Sequence, residues 1–219
     1  MGKTLLTALL LADLRADGIK ALAMKPFCSG SWNDAKLLNN LQNRALSRAQ
    51  ITPFYFPEPV APLLAARNRD EKVTLLAVLE SINKIKKRCD ALLIEGAGGL
   101  LVPLGEDFSV KDLITKLDCR VVVVARNRLG VINHVRLTVE NMQLTGIKDI
   151  TVVLMGCKPG DISAHSNAEI IWELIWPVPV FEVPFLGNNG DQTGAVKKSA
   201  KKIKKTIALI RESANFISF

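Results

Sequence analysis

Residues 120–134 read RVVVVARNRLGVINH. Arg120 to Ala125 is apolar without alternation, the pattern of a parallel strand covered on both faces rather than a half-exposed antiparallel one. After the polar RNR, Gly130 opens a helical pattern running from Val131 to Leu144. ITVVLM at 150–155 then repeats the continuous apolar run. Strand, helix and strand in that rhythm predict a βαβ unit.

The rhythm extends in both directions. Lys3 to Ala16 reads as a helix stopped by Asp17-Gly18, and IKALAMKPF as a strand running into a loop. Ala35 to Leu46 and Thr74 to Arg88 read as helices, the second with Leu75, Leu76, Leu79, Ile82 and Ile85 on its apolar side. ALLIE (91–95) is a short apolar strand ended by a carboxylate. Ala168 to Ile175 is helical, followed by the strand PVFEV and the loop PFLGNNGDQTG. The expectation is an α/β, doubly wound, mainly parallel sheet with helices on both faces, forming one domain over residues 1–219.

Composition narrows the function. The chain has 219 residues, 48% hydrophobic and 23% charged, which suits a packed globular core rather than disorder. The net charge of +8 favours anionic partners. Much of that excess lies in KKSAKKIKK (197–205), read as the solvated face of a last helix whose core side is Ala200, Ile203, Ile207, Ala208 and Ile210. No aromatic residue interleaves there to stack on bases, so neither nucleic acid nor membrane is expected as a partner. Cys28, Cys89, Cys119 and Cys157 are widely spaced, without a C-x-x-C pair, which argues against zinc or a disulfide framework. Leu5 to Ala12 is too short to span a bilayer, and the expected location is cytoplasmic.

In open parallel sheets ligands bind beyond the carboxyl ends of the strands. KPFCSGS, EGAGG, ARNRLGVINH and VPFLGNN all follow strands, and the glycines and polar residues gather there. Gly2-Lys3-Thr4 at a helix start is the last part of a phosphate-binding loop, in which Lys neutralises phosphate and Thr holds magnesium. Alone, the tripeptide serves equally as an ordinary helix start. Lys25 ends a strand beside Ser29, Gly30 and Ser31 and can face a substrate anion, or simply form a surface turn. Asp34 is a hard oxygen donor for magnesium or an N-cap. Glu95 occupies the strand end where a metal-coordinating acid sits in nucleotide-hydrolysing α/β folds, and Gly96, Gly98 and Gly99 let a ligand approach the backbone. Gly130 to His134 opens a helix whose N-terminus suits a carboxylate or phosphate. His134 and His165 receive no catalytic role.

Five blocks in order resemble the ATP-dependent dethiobiotin synthetase family: GKT at 2–4, KPFCSGS with NDA at 25–35, PFYFPEPVAP at 53–62, IEGAGGLLVPL at 94–104, and VVVVARNRLGVINHVRLT at 121–138. VPFLGNN at 183–189 is a weaker sixth. The resemblance implies a P-loop NTPase-like fold and ligation of 7,8-diaminononanoate with CO2, drawn from CO2 or bicarbonate. ATP drives the closure of a cyclic urea, with Mg2+ and a homodimer. It assigns catalysis to Lys3, Lys25 and Ser29. Nucleotide contacts fall to Gly2, Lys3, Thr4, Glu95, Gly96, Ala97, Gly98, Pro184 and Leu186. The substrate would be held by Ser29, Gly130, Val131, Ile132 and Asn133, the last four from across the dimer, and the metal by Thr4, Asp34 and Glu95.

Two departures stand out. The family loop reads roughly Gly-Thr-Asp-Thr-x-Val-Gly-Lys-Thr after a strand, and here Met1 takes the last variable place, so a first strand is expected to be missing. Many members carry an adenine-reading Asn where this chain has Met155-Gly156-Cys157. The alternatives are a truncated, impaired homologue and another P-loop enzyme, such as a cobyrinate amidoligase-like protein or a partition-type ATPase.

Overall fold

A computed structural model describes residues 2–157, 161–187 and 192–214. Asn188 and Asn189 of VPFLGNN therefore lie outside the described residues. The helices are α1 (Lys3–Ala16), α2 (Asn33–Leu41), α3 (Arg48–Ile51), α4 (Pro62–Arg67), α5 (Leu75–Lys86), α6 (Val110–Leu117), α7 (Val131–Leu144), α8 (Asn167–Leu174), α9 (Thr193–Lys202) and α10 (Lys204–Ser213). The strands are β1 (Ala21–Met24), β2 (Phe27–Ser29), β3 (Phe54–Phe56), β4 (Ala91–Ile94), β5 (Val121–Arg126), β6 (Ile150–Met155) and β7 (Val180–Val183).

Among the described residues every pairing between these strands is parallel, as the unalternating apolar runs imply. β5, β6 and β7 form one three-stranded unit, in the register Val121↔Ile150 and Val152↔Val180. β1 pairs with β4, Ala21 opposite Ala91, and the short β2 pairs with β3. Among the described residues no ladder joins β4 to β5. The sheet is divided between them.

That division corrects one expectation. β6 is buried along its whole length, but Val122 to Ala125 of β5 are only half-buried, and the strand has a free edge. Its four valines remain apolar on both faces. What is lacking, among the described residues, is a neighbour on the β4 side. α1 packs against both pieces, touching β1 and β5. Its leucines Leu6, Leu9, Leu11 and Leu14 belong to a core cluster that also takes in Met24, Val153 and Met155. A second cluster, with Val135, Val139, Val152 and Ile171, lies beneath α7 and α8.

Several local expectations shift. α2 stops at Leu41, not Leu46, because its polar side chains are used in a turn. Gln42 hydrogen-bonds both backbone groups of Ala23, and Asn39 bonds both those of Leu46. Leu76 is 66% exposed, and Val78 takes its place on the buried side of α5. Phe27–Ser29, expected as loop, is a strand because Phe54–Phe56 supplies a partner. The terminal basic helix breaks at Ile203 into α9 and α10, with Lys197, Lys198, Lys201, Lys202, Lys204 and Lys205 exposed. Arg211 of α10 donates to Asp13 of α1 and to Asp17, which caps that helix, both at 2.5 Å, tying the last described helix to the first.

Candidate active site

The carboxyl ends of β1 and β4 and the N-terminus of α1 converge on four side chains. Gly2 caps α1 with φ 93°, and a Cβ there would come within 2.7 Å of Met155 Cγ. Only glycine serves both the left-handed backbone and that close approach. Lys3 and Thr4 follow in the first turn. Thr4 Oγ1 donates to Glu95 Oε1 at 2.8 Å, and Lys3 Nζ donates to the Gly98 carbonyl at 2.6 Å.

Lys25 leaves the end of β1 with only 9% of its surface exposed. Its Nζ donates to Glu95 Oε1 at 2.9 Å and to Asp34 Oδ2. The backbone is equally fixed: Lys25 N donates to Ile51 O, and Glu95 N to Met24 O. Glu95 is 3% exposed, and its second oxygen, Oε2, is buried without a hydrogen-bond partner. The Ser29 hydroxyl is likewise buried and unpartnered. Buried polar atoms without partners are costly, so Glu95 Oε2, inside the ion-pair cluster, marks a place where a ligand completes the bonding.

The cluster holds two ammonium groups and two carboxylates. Burial draws the Lys25 ammonium down, but the opposing attractions of Glu95 and Asp34 outweigh it and leave its pKa above the ordinary lysine value. Lys3 goes the other way. Burial and, to a lesser degree, the like charge of Lys25 overcome the pull of Glu95 and Asp34 and lower its pKa.

Asp34 was open to two roles, and the geometry separates them. Trp32 is the N-cap of α2, while Asp34 sits in the first turn with its carboxylate on Lys25. Gly98 has φ 69°, and a Cβ would meet Val102 Cγ2 at 2.6 Å, so this loop is held tight. Lys3, Gly96 and Gly98 line a cavity of about 580 Å3 that extends between Ile94 and β5 and reaches Val131 of α7. Of the Gly130–Asn133 group, Val131 is thus on the wall of the Lys3 cavity, while Gly130 and Asn133 are exposed. Pro184 and Leu186 lie beyond β7, where the Pro184 backbone approaches Gly156.

Sequence reasoning missed Arg126 and Arg128, which line the same cavity. It also missed Asn127, which is 5% exposed and donates to Ala164 O at 3.0 Å and Glu182 Oε1 at 2.8 Å. Asn167 in turn donates to Asn127 Oδ1 at 2.8 Å. This knot ties the loop after β5 to Glu182 of β7 and to the segment that leads into α8. The signal available was the interruption of an apolar strand by RNR, with polar residues where a loop must turn. Among the described residues no three His, Cys, Asp or Glu side chains gather as a metal cage, and no helix is long and apolar enough to cross a membrane.

Residues 1–186 match the family model described as an AAA domain. The fold is similar to that of MinD in the MinC:MinD cell division protein complex of Aquifex aeolicus, with TM-score 0.56 and 13% identity over 93% of this chain and 91% of that one. Parallel strands flanked by helices and a lysine–threonine pair opening α1 define a P-loop NTPase-like α/β protein. The chain is 38% identical to the ATP-dependent dethiobiotin synthetase BioD of Bacillus licheniformis, over 84% of its length and 80% of that protein's. It is 39% identical to the protein of the same name from an Anaeromyxobacter species, over 78% and 79%. The chain belongs to the ATP-dependent dethiobiotin synthetase family.

Proposed function

We propose that this protein closes the cyclic urea of dethiobiotin from 7,8-diaminononanoate, CO2 and ATP. One amine of the diamine adds to CO2 to give a carbamate, whose oxygen takes the γ-phosphoryl group of ATP. The second amine then attacks the activated carbonyl and expels phosphate. Such a sequence asks the protein for positioning and charge neutralisation more than for covalent chemistry.

The observation that carries the reading is the shared atom Glu95 Oε1, on which Thr4 and Lys25 meet beside Asp34, with Lys3 on the Gly98 carbonyl. Lys25 is held charged at the bottom of the site, where the carbamate and the moving phosphoryl group need a cation. Lys3, at the positive end of α1, would receive the terminal phosphates together with the α1 backbone amides. The unpartnered Ser29 hydroxyl is available to donate to the carbamate. Gly96, Ala97 and Gly98 would border the nucleotide, with Pro184 and Leu186 further out.

Magnesium fits the donors present. Thr4, Asp34 and Glu95 offer hard oxygens, and Glu95 Oε2 is free to coordinate. With two carboxylates and one hydroxyl, a bound Mg2+ would complete its shell from phosphate and water, and would draw charge from the phosphoryl oxygens. We further take the enzyme to be a cytoplasmic homodimer, the turn into α7 at exposed Gly130, with exposed Asn133 close behind it, reaching from one protomer to the diamine's carboxylate in the other. Exposed Leu129 and Leu137, one before that turn and one after it, are apolar surface suited to such an interface.

The test is dethiobiotin formation from diaminononanoate, bicarbonate and ATP by the purified chain. Product that requires all three supports the reading, and ATP hydrolysis without ring closure would replace it with a different P-loop activity.

A further inference from the structure

One cation beside the cluster has a geometry that the reaction has not used. Arg48 opens α3, and its guanidinium carbon lies 5.0 Å from the ring centroid of Trp32 and 4.5 Å from that of Tyr55. A planar guanidinium can stack on aromatic faces in a way that a tetrahedral ammonium cannot.

Each member of this stack leads to the reaction centre. Trp32 caps α2, and two residues on Asp34 receives the Lys25 ammonium. Tyr55 Oη donates to Gly30 O at 3.0 Å, and Gly30 N donates to Phe56 O at 2.8 Å, immediately after Ser29. The helix that Arg48 opens ends at Ile51, whose carbonyl accepts from Lys25 N at 3.0 Å. The segment from Ser29 at the end of β2 to Asp34 in the first turn of α2, and the backbone carrying Lys25, are thus both attached to the element that Arg48 begins.

We propose that Arg48 is a positioning residue: clamped between Trp32 and Tyr55, it locks the 29–34 segment against Lys25 and so sets where the Ser29 hydroxyl and the Asp34 carboxylate stand. This rests on the ligase reading for its catalytic consequence, but not for its structural one. Cation–π contacts of about 0.5–2 kcal/mol each are enough to hold a short loop in one place. A displacement on the order of 1 Å in a reacting group can cost up to about a hundredfold in rate.

The experiment uses Arg48→Met, which keeps length without charge, and Arg48→Lys, which keeps charge without the plane. Cys28 supplies a readout independent of turnover. It is 2% exposed, and its Sγ donates to Ser31 O at 3.2 Å, inside the segment to be locked. With Cys89, Cys119 and Cys157 replaced by Ser, both variants should let Cys28 react with an aromatic disulfide roughly tenfold faster, well below a melting temperature lowered by only about 2–4 °C. In turnover, kcat should fall roughly tenfold while KM for ATP stays within about twofold.

Unchanged Cys28 reactivity in both variants overturns the proposal. So does a rise in KM for the diamine at constant kcat and constant Cys28 reactivity, which would make Arg48 a direct substrate ligand. If Arg48→Met does not fold, Arg48→Lys alone decides by the same thiol rate. An unsubstituted chain that makes no dethiobiotin defeats the ligase reading, and the thiol rates still judge the clamp.

Discussion

Thr4 and Lys25 donate to the same oxygen atom, Glu95 Oε1, at 2.8 and 2.9 Å, and leave Glu95 Oε2 buried without a partner. One carboxylate therefore sets the separation of the α1 hydroxyl and the β1 ammonium, and still has an oxygen to offer.

Thr4→Val removes that hydroxyl at nearly constant shape. The lost hydrogen bond should cost about 1 kcal/mol of stability, small enough to leave the fold intact. ATP-dependent ring closure should fall by at least about a hundredfold, because the residue is placed where the metal and phosphate are to be held. Calorimetry beside steady-state turnover checks both halves, and near-normal turnover would remove Thr4 from the site.

Lys25→Met should abolish measurable turnover and also destabilise the fold. It strands Glu95, which is 3% exposed, without its cation. Breaking one side of a buried pair costs about 3–5 kcal/mol. The double variant Lys25→Met/Glu95→Gln removes both charges and should recover much of that stability while remaining inactive. Failure of the double variant to recover any of it, measured by urea unfolding, would contradict the coupling.

Acid should weaken the fold through identifiable carboxylates. The Arg211 hydrogen bond holds Asp17 below its ordinary pKa, and bonds from Ser109 do the same for Asp112 in the α6 capping box. A carboxyl with a depressed folded pKa contributes stability above its unfolded value, and that contribution disappears as pH falls through the folded one. The loss therefore belongs below the ordinary aspartate value of 3.8. Arg211→Met should flatten the Asp17 part of the stability–pH curve in that window, with little effect on the Asp112 part.

The divided sheet predicts uneven amide exchange. Val121 N and Asn127 N donate to Asp149 O and Met155 O, so the alternating amides of Val122 and Val124 face away from β6, toward the gap. These two should exchange at least about a hundredfold faster than Val152 and Val153 in β6. Joining a six-residue apolar strand ahead of Met1 should slow them and raise the melting temperature. Equal protection of β5 and β6 in the unextended chain would mean that the gap is closed in solution.

The parts legible in the sequence were those governed by short-range pattern. α1 and α7 lie where periodicity placed them, Lys3–Ala16 and Val131–Leu144, and β6 is as buried as its unbroken apolar run implied. Gly2, Lys3, Thr4, Lys25, Asp34 and Glu95 were all readable as strand-end or helix-start residues. The meeting of Thr4 and Lys25 on one Glu95 oxygen was not, because it depends on β1 and β4 pairing across about 70 positions. Arg48 gave no sequence signal for the same reason: Trp32 and Tyr55 become its neighbours only when β2 and β3 align. The exposure of β5 also escaped local reading, since its own residues are those of an interior strand.

α1 spans a seam. It lies against β1 on one side and β5 on the other, while no backbone ladder crosses between the two sheet pieces among the described residues. The spacing of Lys3 and Thr4 from Glu95 and its loop is thus maintained by side-chain packing and two hydrogen bonds rather than by a continuous sheet. A polyanion gripped by Lys3 of α1 and Lys25 beyond β1 would add a further tie between that helix and the β1–β4 piece, coupling occupancy of the pocket to how firmly the two are held together.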